Sequence, residues 1–555
     1  MQTFFSLILY SVQIILPFMA VMISYYCFKS LFGGLNSIRP LIVLVNKSNR
    51  EKIPILYWEN SIGRDRHCDI VVDSPNASRD HAVLYRRDEG WMIADTNSKC
   101  GTFINGKKIK NDQKVYIDDI IDIGGVKYQV SKADILQPDN IKSPLLNDTP
   151  SKKIYSQAGI LFIISIFQLL STIEICFAKN EFNYEPIKIF GMIFAVSWLC
   201  FLATKYIFKR TNFEIESLGI FLSGIGITNV CSLSPQQAYI QLIAMGVGII
   251  LFEILVFIIK NPDFAMKLRT FIALLACLLL VANLAFGKVK NGSQNWIMIG
   301  NYSFQPSEFV KVAFVFFGAS TLKGIQTTKN LTWFIVFSGI CMGALFMMGD
   351  FGTASIFFVT FILISFMRSG SVRTVVLTCA AAALGFLFIL KFKPYIVTRF
   401  SAWRHVWQYV NSIGYQQTRV LTYSASGGLL GMGIGKGYLK YIFAAPSDLA
   451  FGMLCEEWGV ITAFTILASL ILLVIYAKNA GVRCRSAFYT IASCCASGMM
   501  AFQMIMNVFG VVDVFPLTGV TLPFISLGGS SLISVWGLLA FVKASDERTY
   551  AVKLQ

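Results

Sequence analysis

The chain has 555 residues, 55% of them hydrophobic and 14% charged, with a mean hydropathy of +0.61. That apolar fraction exceeds what a soluble domain of this length uses to fill its core, so the composition specifies a polytopic membrane protein. The net charge of +17 comes largely from Lys and Arg in short loops between apolar runs, the pattern of orientation signals, which argues against nucleic acid as a partner. The 13 cysteines lie mainly in apolar runs without CxxC pairing, so neither a disulfide framework nor a zinc site is indicated.

The first apolar run, Phe4 to Phe28, has no basic residue ahead of it and is too long for a cleavable signal segment, so residues 1–30 read as a retained membrane anchor. Residues 40–135 change texture to short alternating segments, among them Ile53 to Trp58, Asp69 to Val72, His81 to Tyr85 and Trp91 to Ala94, which predict a small all-β domain. Residues 136–156 combine Pro with Asn, Asp, Ser and Lys without periodicity, as a linker does. Beyond it, the twenty-residue criterion predicts about twelve further spans. They begin near Ala158, Ile187, Ser217, Ala238, Leu268, Ser303, Leu331, Gly352, Thr374, Ala450, Ala487 and Thr518.

The basic clusters at Lys29, Lys209/Arg210, Lys260 to Arg269, Lys323/Lys329, Arg368/Arg373, Lys478 to Arg485 and Lys543/Arg548 fall on alternate sides of that count. All of them, and the β-domain, are then expected in the cytoplasm, with segments 291–301, 349–352, 391–449 and 513–519 on the outside. The expected fold class is a polytopic α-helical membrane protein of about thirteen transmembrane helices with a cytoplasmic all-β domain.

Gln305-Pro306-Ser307-Glu308, followed by Lys311, places a carboxylate and an ammonium on one face of an apolar helix. Ionised groups at membrane depth are costly, so the pair either lines a wet functional cavity or stitches two helices together.

In the β-domain, Gly63-Arg64, Ser78-Arg79-Asp80-His81, Asp95 to Thr102 and Asn105-Gly106 follow in order. The domain resembles a forkhead-associated (FHA) domain over its full length. The resemblance implies a β-sandwich whose loops bind phosphothreonine, with Arg64, Ser78 and Arg79 contacting the phosphate and His81 as a brace; an Arg and a Ser hydroxyl suit charge-assisted hydrogen bonds to phosphate oxygens. Cys100 departs from the family's asparagine, which holds the peptide backbone.

In the membrane part the ordered motifs are Ser223-Gly224-Ile225-Gly226, Asn291-Gly292 through Trp296 to Gly300, the Gln305 to Lys311 helix, Asp350-Phe351-Gly352-Thr353 and Arg399-Phe400. There follow Gly414-Tyr415-Gln416, Ser426 to Gly437, Ser447-Asp448, Glu456-Glu457-Trp458-Gly459 and Leu522 to Ser531. Residues 215–545 resemble the SEDS family (shape, elongation, division and sporulation; FtsW/RodA/SpoVE), which has a core of about ten transmembrane helices; the anchor and two spans in 157–210 are additional. Asn295, Gly349 and Cys455 stand where the family commonly has arginine, proline and glycine.

The resemblance implies a peptidoglycan glycosyltransferase of the bacterial cytoplasmic membrane. It would polymerise lipid II, the undecaprenyl-diphosphate-linked disaccharide-pentapeptide, on the outer face, serving division, elongation or sporulation. Asp448, in the large external loop 391–449, matches the essential aspartate and would activate the acceptor 4-hydroxyl; transfer with inversion needs such a base and positive charge near the departing diphosphate. Glu308, Lys311, Trp296, Gln305, Asp350, Arg399, Gln416, Glu456, Glu457, Ser526 and Ser530 are the expected cavity residues, and Arg399, Arg404 and Lys440 could neutralise leaving-group charge.

Glu456 and Glu457 either coordinate a divalent cation, Mg or Mn, or bond neighbouring loops. No organic cofactor is implied. The expected partners are lipid II, a class B penicillin-binding protein acting as transpeptidase, and a threonine-phosphorylated protein. A lipid II flippase or a non-catalytic morphogenesis scaffold would share the intramembrane charge, although a transporter should show internal repeats and none is evident.

Overall fold

The computed structural model describes residues 2–33, 41–66, 68–87, 90–109, 112–132, 155–178, 182–210, 212–290, 293–300, 302–320, 328–369, 372–373, 375–380, 383, 401–483 and 486–546. A helix, α1 (Gln2–Gly33), precedes the β-domain. The strands are β1 (Ile42–Asn46), β2 (Lys52–Ile55), β3 (Glu59–Gly63), β4 (Ile70–Val71), β5 (Ala82–Arg87), β6 (Gly90–Asp95), β7 (Thr102–Ile104), β8 (Lys107–Lys108), β9 (Gln113–Val115), β10 (Ile120–Ile123) and β11 (Val126–Lys132).

They form a sandwich of two sheets, ordered β2-β1-β11-β10-β7-β8 and β4-β3-β5-β6-β9, antiparallel except for the β3/β4 pair. Period-two alternation sends Ile62, Leu84, Ile93, Ile121, Ile123 and Val130 into one buried core. The strand expected over Ile53 to Trp58 ends at Ile55. It is the edge strand of its sheet, where Pro54 is tolerated, and it leaves Trp58 free to point elsewhere.

The helical part comprises α2 (Gln157–Cys176), α3 (Glu185–Leu202), α4 (Glu214–Leu233), α5 (Pro235–Ile259) and α6 (Pro262–Phe286), then a three-stranded sheet of β12 (Lys288–Lys290), β13 (Ser293–Ile299) and β14 (Tyr302–Phe304). It continues with α7 (Pro306–Ser320), α8 (Thr328–Met348), α9 (Phe351–Ser369), α10 (Tyr415–Ser426), α11 (Ala445–Asp448), α12 (Ala450–Glu457), α13 (Gly459–Arg483), α14 (Ala487–Val511) and α15 (Gly529–Ala544).

Among the described residues, eight helices are long and apolar enough to cross a membrane, and three shorter apolar ones join them. The span expected from Thr374 lies largely outside the described residues. One expected span is broken and another starts late. The one from Ala450 is interrupted where Gly459 adopts φ +82°, which separates α12 from α13, and the one from Thr518 is irregular until Gly529.

Helix α4 is the best-buried span and packs with α5 and α15 around the Trp536 indole, whose Nε1 donates to Ser223 Oγ at 3.1 Å. α1 lies against α13 and α4: the Ser24 and Ser469 hydroxyls meet at 2.9 Å, and Ser30 donates to Glu214 at 2.8 Å. The end of α4 near Glu214 carries a buried ionic cluster. Lys543 pairs with Glu216 at 2.8 Å, Arg210 with Glu253 at 2.8 Å, and Asn212 donates to Asp546 at 2.8 Å. Lys543 and Arg210, read from sequence as loop charges, are therefore paired inside the bundle.

Candidate functional site

Segments around β13, α7, α9, α11, the latter half of α14 and the stretch 515–527 enclose a cavity of about 1160 Å³. Glu308, Lys311, Trp296, Gln305, Asp350, Gln416 and Asp448 all line it. Pro306 opens α7, and the i, i+3 spacing brings Lys311 Nζ to 2.7 Å from the Glu308 carboxylate with both side chains almost wholly buried. Lys311 also donates to Gln503 Oε1 at 3.1 Å. The pair is thus both a cavity wall and a tie between α7 and α14.

Asp350 is buried and its two oxygens are occupied, one by Asn295 Nδ2 at 2.7 Å and the other by the Thr353 amide at 3.0 Å. Asn295, the residue replacing the family's common arginine, holds this carboxylate. Asp448 ends the short helix α11, entered through Ala444 at φ +57°, and its amide donates to Ala444 O at 2.8 Å. Its carboxylate faces Gly519, where a Cβ would lie 3.2 Å from Asp448 Oδ2; with φ +74° as well, that position requires glycine.

The loop before Asp448 is pinned from three sides. Asn507 donates to Asp448 O at 2.9 Å and to Val520 O at 2.7 Å. Ser526 Oγ donates to Ser447 O at 2.6 Å while accepting the Leu522 amide, and the Leu527 amide donates to Pro446 O at 2.8 Å. Gln241 of α5 braces that turn by donating to Ser526 O and accepting the Gly528 amide, each at 3.1 Å.

Ser526 and Ser530, expected in the cavity, act behind it: Ser530 Oγ accepts the Gln305 amide at 3.2 Å. Gln416 donates to Phe443 O at 2.8 Å. Glu456 and Glu457 also lie outside the lining. Glu456 accepts the amides of Tyr438 at 2.7 Å and Leu439 at 2.9 Å, and Glu457 accepts that of Gly435 at 2.9 Å. Of the two roles expected for them, these bonds favour fastening a loop. Both oxygens of Glu456 are taken by backbone N–H groups, and Glu457 spends one of its two on the same loop, which leaves no pair of free carboxylates for a divalent cation. Lys440 donates to Gly435 O and so belongs to the same fastening. Arg399 lies outside the described residues.

In the β-domain, Arg64 and Arg79 are exposed side by side, since the amides of Arg64 and Asp65 donate to Ser78 O and Arg79 O at 2.9 and 3.0 Å. Ser78 Oγ accepts the Lys99 amide at 3.0 Å, and buried His81 accepts the Ser78 amide at 3.0 Å. Burial raises the Asp95 carboxyl, but hydrogen bonds from Ser98 and Thr102 outweigh it and hold the group below the ordinary carboxylate range. Cys100 is exposed in the same loop cluster.

Sequence reasoning missed Gln241, Gln503 and Asn507. The signal for the last two was available: an amide pair at i, i+4 in an otherwise apolar helix marks a face that must find polar partners.

Fold and site together define a multi-span membrane protein with a charged cavity near one end of its helices and a β-sandwich appended at the other. Residues 222–550 match the FtsW/RodA/SpoVE family, described as "Cell cycle protein", and residues 60–124 match the FHA domain. The first match covers more than half of the chain, which belongs to the FtsW/RodA/SpoVE family.

A "Probable peptidoglycan glycosyltransferase FtsW" of Wigglesworthia glossinidia brevipalpis is 32% identical over 301 residues, covering 52% of this chain and 79% of that protein. One of the same name from Bacillus subtilis (strain 168) is 31% identical over 379 residues, covering 62% and 94%. A solved structure described as "Structural coordination of polymerization and crosslinking by a peptidoglycan synthase complex" superposes with a TM-score of 0.51 at 25% identity, covering 60% of this chain and 96% of the other.

Proposed function

We infer that the chain is a peptidoglycan glycosyltransferase that extends glycan strands from lipid II, with an FHA domain that reads phosphothreonine. The observation that carries the reading is the half-buried Asp448 on the wall of a cavity that also holds the Glu308–Lys311 pair. Asp448 takes the proton of the acceptor 4-hydroxyl as that oxygen bonds to C1 of the donor sugar and the C1–diphosphate bond breaks. Lys311 supplies positive charge toward the departing diphosphate from the cavity wall.

The division into an anchor (1–30), an FHA domain (40–135), a linker (136–156), two added spans (157–210) and a catalytic unit (215–545) belongs to this proposal. So do the cytoplasmic placement of the FHA domain, the external placement of the cavity, and the partners, a class B penicillin-binding protein and a threonine-phosphorylated protein. Orientation rests on the distribution of Lys and Arg among the loops.

The test is polymer formation from purified lipid II by the full chain with its transpeptidase, native against Asp448→Asn at matched expression. Polymer from the native protein and none from the variant is the expected result. Equal polymer from both would remove Asp448 as the base, and none from either would turn attention to lipid II flipping.

A further inference from the structure

Helices α1 and α2 lie outside the residues that match the family, yet both reach the loop that leads to Asp448. Gln13 of α1 donates to Gly431 O. Glu174 of α2, only 2% exposed, accepts the Ile434 amide at 3.2 Å. One turn pair earlier on α2, Phe167 stacks on Trp458, the residue after Glu456-Glu457, at 5.8 Å between ring centroids. A carboxylate in an apolar span is costly to keep there without a partner, and this one's partner is a backbone amide of the loop.

The loop needs such holds. Gly431, Gly433 and Gly435 all have φ between +82° and +104°, so the segment has large conformational freedom to lose on ordering. Glu456 and Glu457 tie down its inner side, through Gly435, Tyr438 and Leu439. Gln13 and Glu174 hold the outer side, and a Cβ at Gly433 would come within 3.0 Å of the Glu174 carboxylate. From Leu439 the chain passes through one 3-10 turn and Ala444 directly into α11 and Asp448, so play in the loop becomes displacement of the carboxylate.

We propose that α1 and α2 form a built-in clamp on this loop, with Glu174 and Gln13 as positioning residues that act through residues 431–439 on Asp448. The inference rests on Asp448 as the base, but the clamp itself has a readout that does not.

The experiment measures amide hydrogen exchange and polymerisation kinetics on the full chain in nanodiscs, for the native protein, Glu174→Ala and Glu174→Gln. In Glu174→Ala the amides of 431–439 should exchange about tenfold faster while α2 and α13 stay protected, as loss of one buried hydrogen bond predicts. In the same variant kcat should fall about tenfold with KM within about twofold, because small misplacements of a reacting group act on turnover. Glu174→Gln keeps an acceptor oxygen and should restore both.

Unchanged exchange in the loop overturns the clamp. So does loosening that spreads through α2 and α13 without rescue by Gln, which would mark Glu174 as a packing residue only. A loosened loop with native kcat overturns the positioning role. Should the native chain make no polymer, the proposed function fails by itself, and faster exchange confined to 431–439 still upholds the clamp.

Discussion

Lys311 has its charge satisfied twice, by Glu308 at 2.7 Å and by Gln503 at 3.1 Å, at almost no exposure. Removing one member of a buried pair strands the other charge, at a cost of about 3–5 kcal/mol, whereas removing both is often close to neutral. Lys311→Met should therefore lower the thermal unfolding midpoint clearly and abolish polymerisation. The double variant Glu308→Gln/Lys311→Met should recover most of the midpoint but none of the activity, since the positive charge facing the cavity is still missing. Thermal unfolding in detergent, paired with the lipid II assay, separates the two effects. Recovery of activity in the double variant would reduce the pair to a structural stitch.

The loops of the β-sandwich present Arg64 and Arg79 outward on a frame set by His81, Ser78 and the Lys99 amide. A charged hydrogen bond to phosphate is worth about 1.5–3 kcal/mol, so Arg64→Ala should weaken binding of a phosphothreonine peptide by about tenfold or more. Cys100→Asn should tighten it by about twofold to tenfold through a new neutral bond to the peptide backbone. Calorimetric titration reads both, and indifference to both substitutions would mean that these loops do not hold the phosphopeptide.

What was legible at this scale follows the physics. Alternation gave the strands because one face of each sheet is buried, and the Glu308–Lys311 spacing gave the pair because three residues along a helix are neighbours in space. The breaks before α13 and α15 were hidden because hydropathy windows average across Gly459 and Pro523. Gln241 and Glu174 were hidden for another reason: each meets a backbone group far away in sequence, and no local pattern encodes which loop will arrive there.

Across the molecule, α14 sets the separation of the two functions. Tyr489, at its start, meets Trp58 of the β-sandwich edge-on at 6.4 Å, while Gln503 and Asn507 near its other end serve the cavity and its loop. At 1.5 Å per residue those points are about 20–27 Å apart. Strand β3 then runs from beside Trp58 to Gly63, so Arg64 lies up to about 20 Å along the chain from that contact at 3.3 Å per residue. A phosphopeptide and lipid II therefore cannot compete for space, and any effect of one on the other has to pass along helices such as α14 or α1.

The arrangement is testable by labelling with a membrane-impermeant maleimide. Cys100 is exposed in the β-domain, and Tyr441, 78% exposed, sits in the loop between the Glu456 fastening and Asp448. In sealed vesicles Cys100 should label only when the inner membrane face is turned outward, with Cys100→Ser as the control. A cysteine placed by Tyr441→Cys in the Cys100→Ser background should label only in the opposite orientation. Labelling of both from one side would break the two-ended arrangement and, with it, the argument that phosphothreonine is read on one side of the membrane while glycan is made on the other.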